Sequence, residues 1–453
     1  MILQALKDYY DRKAADPESG IAPLGWERKE IPYLIVLDRT GRLVTVEDTQ
    51  EKIGRKLRAR TFSVPQSVKR TVGIEPYFLW DNVEYVAGIV CKEGGSPARV
   101  ARQHDAFVAR LKPFAAIAEI GAVLRFLASD DAPSQLEAFD AWKEAKQSCA
   151  FVAFKFVGED GTIFDAPAVK EVVCGLSSAS KEGAVGVDLV SGARDVIALL
   201  HPALKGIPGA NTTGANIVSF NFPAATSFGK SQGGNSPVGV RSAFEYTTAL
   251  NTLLSKDSKQ KMMVGDATVV FWAEKDNPFE TALADFFAEP PKDNPDRLVG
   301  SVSALFRSPQ TGTGVYAEDE TTFYVLGLSP NAARIAIRFW HVGTVAEIAG
   351  RFRAYFDDLL IAHGPKDRDH LSLWRLLVST AVQGKSENIA PNLAGNVMRS
   401  ILEGLPFPET LLSAVLPRIK AQHEVSYPRA QLVNGCLNRT RRSTNPHHER
   451  QLT

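Results

Sequence analysis

Histidine and cysteine are scarce in this sequence and sit apart from one another. Eight of the 453 residues are His and four are Cys. Cys91, Cys149, Cys174 and Cys436 form no C-x-x-C pair, and none lies near a His at zinc-ligand spacing. No H-E-x-x-H occurs either, so the sequence predicts no metal centre, no cofactor, and four reduced, buried thiols of a cytosolic protein. The "HHER" at 447–450 offers a metal only adventitious ligands in a polar stretch. An excess of one charge is also missing: 52 Lys and Arg against 51 Asp and Glu leave a net charge of +1, so a nucleic-acid partner has to be met by local patches. There is no unbroken apolar run. "PFAAIAEIGAVLRFLAS" is interrupted by Glu119 and Arg125, which a lipid-spanning helix tolerates poorly, and reads as a core helix. "MILQALKDYYDRKAADPESG" carries acids where a secretory signal has a basic start, so export is not expected and the chain is placed in the cytoplasm. No solenoid-length repeat stands out.

What is present is a long α+β pattern. Ile2, Leu3, Leu6, Tyr9 and Tyr10 recur at helical spacing, and "DPESG" then stops the helix. "IPYLIVLDRTGRLVTVED" reads as two strands joined at Asp38-Arg39-Thr40-Gly41. "GIEPYFLWDNVEYVAGIV" reads as a return to strands whose aromatics either fill the core or stack on unpaired bases. Residues 104–148 read as two helical segments parted by "SDDAPS", and strands resume at "CAFVAFKFVGEDGTIF". "IVSFNFP" alternates as a strand, and the helix after it takes Ser236 as N-cap and Pro237 as its first residue. "MMVGDATVVFWAE", "TTFYVLGLS" and "ARIAIRFWHV" supply three more strand-rich runs. The expected organisation is a mixed, β-rich body with inserted helices over 1–343, a helical segment over 344–436, and a disordered polar tail over 437–453.

Two local features carry candidate chemistry. From 52 to 70, "KIGRKLRARTFSVPQSVKR" concentrates Lys52, Arg55, Lys56, Arg58, Arg60, Lys69 and Arg70 with no acid among them. It is either a solvated loop or a phosphate-contacting segment. The second is "FNFPAATSFGKSQGGNSP". Gly229-Lys230-Ser231 ends like a P-loop, but Ala224 stands where the first P-loop Gly is required, and Gln232-Gly233-Gly234-Asn235 is poor material for the helix that should start at Lys230. Gly229 to Gly233 spells G-x-S-x-G, yet Ser231 is followed by flexible residues rather than an immediate helix, and no Asp and His partners are identifiable by spacing. Neither a nucleotide hydrolase nor a serine hydrolase is favoured. What remains is either a plain connection or a loop whose Lys230, Gln232, Gly233, Gly234 and Asn235 approach an anion or a base edge.

The segments "ANTTGANIVSFNFPAATSFGKSQGGNSPVGVRSAFEYTTALNTLL", "LDRTGRLVTVED", "GIEPYFLWDN", "VGDATVVFWAE", "IRFWHVGTVAEIA" and "NLAGNVMRSILEGLPFP" resemble the large subunit of type I-C CRISPR Cascade complexes. The resemblance runs collinearly from the first residues to "NGCLNR" near 439. It implies a non-enzymatic subunit of an RNA-guided antiviral surveillance complex. Its implied partners are guide RNA, target double-stranded DNA, the guide-handle, backbone and small subunits, and a helicase-nuclease, with no membrane. Such a subunit recognises the motif beside the target and begins strand separation while guide pairing reads the sequence. It brings Arg55, Lys56, Arg58, Arg60, Lys69 and Arg70, and the loop residues Lys230, Gln232, Gly233, Gly234 and Asn235, forward as nucleic-acid-binding candidates. A structural adaptor without direct motif reading is the alternative. Members of that family usually continue into a further helical bundle; here the resemblance is read as stopping near Arg439.

Overall fold

A computed structural model describes residues 1–453 apart from 54–55, 69, 71–72, 92–93, 180–182, 212–213, 221–222, 231, 265–266, 288–315, 317, 332–333, 366 and 445–453. The chain is α+β, as its pattern implies, and divides into two compact units. One is Met1–Pro17 with Val185–Thr453, and the other, Glu18–Ala184, is inserted between those pieces. No helix among the described residues is long and apolar enough to cross a membrane.

Helix α1 (Ile2–Ala14) opens the first unit and buries Ala5, Leu6, Tyr9 and Tyr10, the stripe its spacing foretold. The inserted unit follows. Its strands are β1 (Trp26–Glu30), β2 (Tyr33–Leu37), β3 (Leu43–Asp48), β4 (Gln50–Ile53), β5 (Lys56–Ala59), β6 (Thr61–Pro65) and β7 (Asp81–Asn82). Helices α2 (Val83–Ala87), α3 (Pro97–Leu111), α4 (Ala118–Leu127), α5 (Ala132–Leu136) and α6 (Asp140–Ser148) then lead to β8 (Phe151–Phe156) and α7 (Pro167–Ala179). The main sheet has the order β3-β2-β8-β7, with β2 parallel to β8 and the other pairs antiparallel. All five residues of β2 are buried, as a central strand requires. The β2–β3 turn is held by Asp38, whose Oδ1 accepts from the backbone N–H of Thr40 (2.8 Å) and Arg42 (2.9 Å). Gly41 there has φ +92°, and a Cβ would lie 2.5 Å from the Ala122 carbonyl of α4, so no other residue fits.

The stretch read as strands at 73–90 is different: it yields only the two-residue β7 and the short α2. Asn82 Oδ1 caps α2 at Tyr85 N (3.2 Å), and left-handed Gly88 ends it, so local capping wins over strand propensity. Phe78, Leu79 and Trp80 are core residues, and Trp80 Nε1 donates to Pro65 O at 2.9 Å.

Back in the first unit come β9 (Val185–Val187), β10 (Arg194–Val196), α8 (Val240–Leu253), β11 (Lys261–Val264), β12 (Ala267–Ala273), α9 (Phe279–Phe287), β13 (Thr322–Asn331) and β14 (Arg334–Thr344). Helices α10 (Val345–Leu359), α11 (Leu373–Val378), α12 (Leu393–Glu403), α13 (Glu409–Gln422) and α14 (Tyr427–Thr444) complete it. Strands β11 to β14 form an antiparallel meander in chain order. Phe271, Phe323 and Phe339 of its strands share one core with Phe352 and Phe356 of α10 and with Val397, Met398 and Ile401 of α12. That shared core is why residues on either side of 343 belong to one unit rather than to two domains. Thr344 and Glu347 make a capping box that turns β14 directly into α10.

Three further expectations differ from the structure. "IVSFNFP" makes no ladder: among its described residues and their flanks, only isolated bridges at Ala215 and Asn216 occur. Helix α8 starts at Val240 with Gly239 as its N-cap, not at Pro237, because two aspartates from elsewhere satisfy its first amides. Asp188 accepts from Gly239 N (3.0 Å) and Asp195 from Arg241 N (3.1 Å). Finally, residues 437–444, read as the start of a polar tail, lie within α14. Arg439 is buried there and Arg442 lies 3.0 Å from Asp358, so both belong to the folded unit rather than to a tail. The rest of that tail lies outside the described residues.

Candidate nucleic-acid interface

The basic segment folds as a ribbon. Strands β4 and β5 pair antiparallel, placing Glu51 opposite Arg58 and Lys52 opposite Leu57, and β6 returns alongside β1. Lys52 is exposed, and so is Leu57 at 67%. Arg58 is half-buried. Arg60 is exposed with its guanidinium 5.2 Å from the Phe62 ring centroid, while its backbone is tied to Thr49 O and Ile31 N. Arg55 and Lys69 lie outside the described residues, and for Lys56 only the backbone, in β5, is described.

Arg70 is not part of this exposed set. Its Nη1 donates to Asp81 Oδ1 at 3.1 Å, its Nη2 to Asp81 Oδ2, and its Nε to Glu75 O at 2.6 Å. The guanidinium lies 3.8 Å from the Tyr77 ring centroid and 4.0 Å from that of Tyr85. Asp81 is 0% exposed and also accepts the backbone N–H groups of Tyr77 and Asn82. Burial still pushes its carboxyl above the usual range against the pull of Arg70. This pairing holds the fold of the inserted unit.

The glycine-rich loop belongs to the first unit, and the two candidate features therefore sit in separate units. Gln232–Asn235 forms one 3-10 turn, and α8 begins well beyond Lys230, so no helix starts at the lysine as a P-loop demands. Asn235 Nδ2 donates to Ala225 O, Ser227 O and Ser227 Oγ, each at 3.0 Å, and so ties the loop to itself. Gly233 is buried, with its close approach directed to the Ala198 carbonyl, 2.7 Å from where a Cβ would be. A Cβ on Gly234 would meet the Lys230 side chain at 3.2 Å. Lys230 and Gln232 are exposed, and Ser231 lies outside the described residues.

Where the loop re-enters the core, Asp188 fixes it. Its carboxylate accepts from Ser242 Oγ and Ser191 Oγ, both at 2.5 Å, as well as from three backbone amides. Desolvation raises its pKa, but the hydrogen bonds, led by Ser191 and Ser242, overcome this and bring it down to about 2.

Sequence reasoning passed over Phe228. Its side chain is 93% exposed and its φ is +56°, next to Gly229 at +68° and near Gln232 at +47°. A bulky residue in left-handed backbone costs on the order of 1–3 kcal/mol. The ring gains no burial in return. No sequence signal marked it, since Ala225 and Ala224 stand three and four residues before it, at the spacing of a helical core stripe.

The expectation of four reduced thiols is corrected. Helix α6 ends at Cys149 in a left-handed cap, which places its Cα 5.4 Å from that of Cys91, and the two form a disulfide. Cys174 and Cys436 keep their thiols, Cys174 on the surface rather than buried as expected and Cys436 in the core. Glu84 is the third residue whose ligand atom lies within 4.8 Å of these sulfurs, and among the described residues no other such group occurs. Sulfurs bonded to each other are not thiolate donors, so the trio offers no metal centre in this state. Thiol titration of the unfolded chain is expected to count two groups without reductant and four after reduction; four in both cases would refute the bridge.

No curated protein matches the chain. A sequence profile described as "CRISPR-associated protein (Cas_Csd1)" matches residues 6–453, and so runs past Arg439, where the resemblance was read as ending. The profile takes in the basic ribbon, the glycine-rich loop and every helix of the C-terminal half, and on that match the chain belongs to the Csd1 family of CRISPR-associated proteins, the family of the type I-C large subunit.

Proposed function

We propose that this Cascade subunit binds target duplex DNA beside the guide-complementary segment, recognises the flanking motif through the 228–235 loop, and aids strand opening and helicase-nuclease recruitment without catalysing a reaction. The observation that carries the reading is Phe228: a 93% exposed aromatic, held in left-handed backbone beside the exposed Lys230 and Gln232. An aromatic ring so presented can enter a base step or stack on a base freed from it, a lysine beside it can neutralise a phosphate, and a glutamine can pair with a base edge. Asn235 and Gly233 then support the loop from within, and Asp188 anchors its base.

The ribbon supplies a second, sequence-independent contact. Replacing Lys52 and Arg60 by Ala is expected to weaken binding equally on all duplexes and to flatten the slope of log affinity against log salt by roughly 0.9 for each phosphate no longer neutralised. An unchanged slope in a folded variant would return the ribbon to a solvated surface.

The deciding experiment is competition between duplexes with correct and altered flanks for complexes assembled with guide-loaded backbone subunits. Lys230→Ala is expected to weaken both duplexes, whereas Gln232→Ala reduces the preference between them by about 1–3 kcal/mol. Assembly with no flank preference in the wild type would favour the adaptor reading instead.

A further inference from the structure

Three arginines converge on a cavity in the first unit that neither the loop nor the ribbon involves. The cavity has a volume of about 440 Å³ and is lined by Glu347, Gly350, Arg351 and Ala354 of α10, Gly404 after α12, and Arg439, Arg442 and Ser443 in the last turns of α14. Arg439 is 5% exposed. Its Nη2 donates to Ser400 O at 3.3 Å, its Nε lies 3.7 Å from Asp358 Oδ2, and its guanidinium stands 4.7 Å from the Phe407 ring centroid. Its Nη1 is buried and has no hydrogen-bond partner. Arg442 reaches the same place and is 3.0 Å from Asp358 Oδ1. Arg351 comes from the opposite wall, with Nη1 bonded to Leu402 O and to His341 Nε2.

Of the four carboxylates nearby, only Glu347 lines the cavity; Glu403 is paired with Arg399 at 2.9 Å, and Asp357 is exposed and acts on Arg442 from outside the lining. Glu347 is engaged at Thr344 N (3.1 Å) in the capping box. Asp358 is buried, and desolvation pushes it up to about 6 despite both arginines, so it is a reluctant counterion. His341, whose Nε2 meets Arg351 Nη1, is lowered by burial and by that arginine against the opposing pull of Glu403 and Glu347. The wall between the arginines carries little bulk. Gly350 has open space where a Cβ would be, and at Gly404 only Arg351 comes within 4 Å. A volume of this size exceeds what one carboxylate fills and suits a phosphate with part of its sugar.

We propose that the Arg351, Arg439 and Arg442 cavity binds a backbone phosphate of a nucleic-acid strand, with the partly exposed guanidinium of Arg442 as the donor and Arg351 and Arg439 as the positive walls behind it. The guanidinium fork matches a phosphate bidentately, which distinguishes this site from the single lysine of the loop. The inference rests on the nucleic-acid-binding reading above and adds a second place to it.

The test uses the full chain and labelled single-stranded oligothymidylate and oligouridylate as parallel probes, so that DNA and RNA are told apart. Arg442→Gln, at a residue whose side chain is partly exposed, is expected to lower affinity about tenfold, the loss of a charge-assisted hydrogen bond. It also flattens the salt slope by about 0.7, while Arg442→Lys recovers the slope more than the affinity. Pyrophosphate is expected to compete with the oligonucleotide and to raise the melting temperature of the wild-type chain more than that of Arg442→Gln, a readout that needs no buried substitution. Wild-type binding that neither Arg442→Gln nor pyrophosphate alters overturns the cavity and leaves the loop reading standing. A wild-type chain and an assembled complex that both bind no nucleic acid overturn the two together.

Discussion

Phe228→Ala is expected to lower the affinity of assembled complexes for a correctly flanked duplex by about 1–3 kcal/mol, the range for removal of a base–aromatic stack. The fold should not suffer. The ring is 93% exposed, so truncation forfeits almost no buried surface, and the left-handed backbone at this position strains alanine as it does phenylalanine. Phe228→Gly removes ring and strain together. It should therefore match Phe228→Ala in binding while unfolding at an equal or higher temperature. Phe228→Tyr keeps a π-face and should stay near the wild type. Opening of the duplex, followed by fluorescence of a base analogue beside the flank, should slow in the Ala and Gly variants. Normal binding and opening in both would remove the ring from the mechanism.

The largest effect on stability is expected at Arg70. Arg70→Ala leaves the carboxylate of Asp81 buried with only backbone amides for company, and such a loss costs about 3–5 kcal/mol. Two tyrosine rings also lose the planar cation between them. Chemical denaturation of the separately produced inserted unit measures this directly. The result also sorts the basic segment: a residue that touches phosphate changes the salt slope of a folded protein, whereas Arg70→Ala should lower stability and leave the slope of the folded fraction unchanged. A stable Arg70→Ala with a flattened slope would restore it as a phosphate contact.

The periodic elements were legible. Helix α1, the β2–β3 hairpin with its Asp38 turn, the β11 to β14 runs and the helices after Thr344 all announce themselves by spacing. Misread were the places where distant side chains overrule local ones. Ser236-Pro237 is a sound start for a helix, but Asp188 and Asp195 moved the start to Val240. Arg439 and Arg442 look like tail residues because Asp358, the acid that draws them inward, lies some eighty positions away. The same blindness affects the candidate interface. Composition marks Arg70 and Arg60 alike, and only the fold shows one guanidinium held by Asp81 and the other exposed. Conversely, Phe228 carries no polar signature, and an exposed aromatic is recognisable only once its surroundings are seen to be empty.

The insertion of 18–184 between α1 and the rest of its unit bears on how the protein is made. Helix α1 is synthesised before the inserted unit, yet the groups that receive it come much later: Gln260 for Tyr9, Glu280 for Arg12 and Asp276 for Lys13. At synthesis rates of about 5–20 residues per second, that interval is tens of seconds. A thirteen-residue helix is marginal by itself, so Leu6, Tyr9 and Tyr10 wait exposed while the inserted unit completes its own fold. The first unit therefore closes late, through pairings of very long loop length, and its N-terminal helix is a natural client for a chaperone during synthesis. Production of 185–453 without the first seventeen residues would leave the cleft for α1 open on α8, with Phe244 stripped of Tyr10; a permuted chain that carries α1 after residue 444 would supply the missing helix in time.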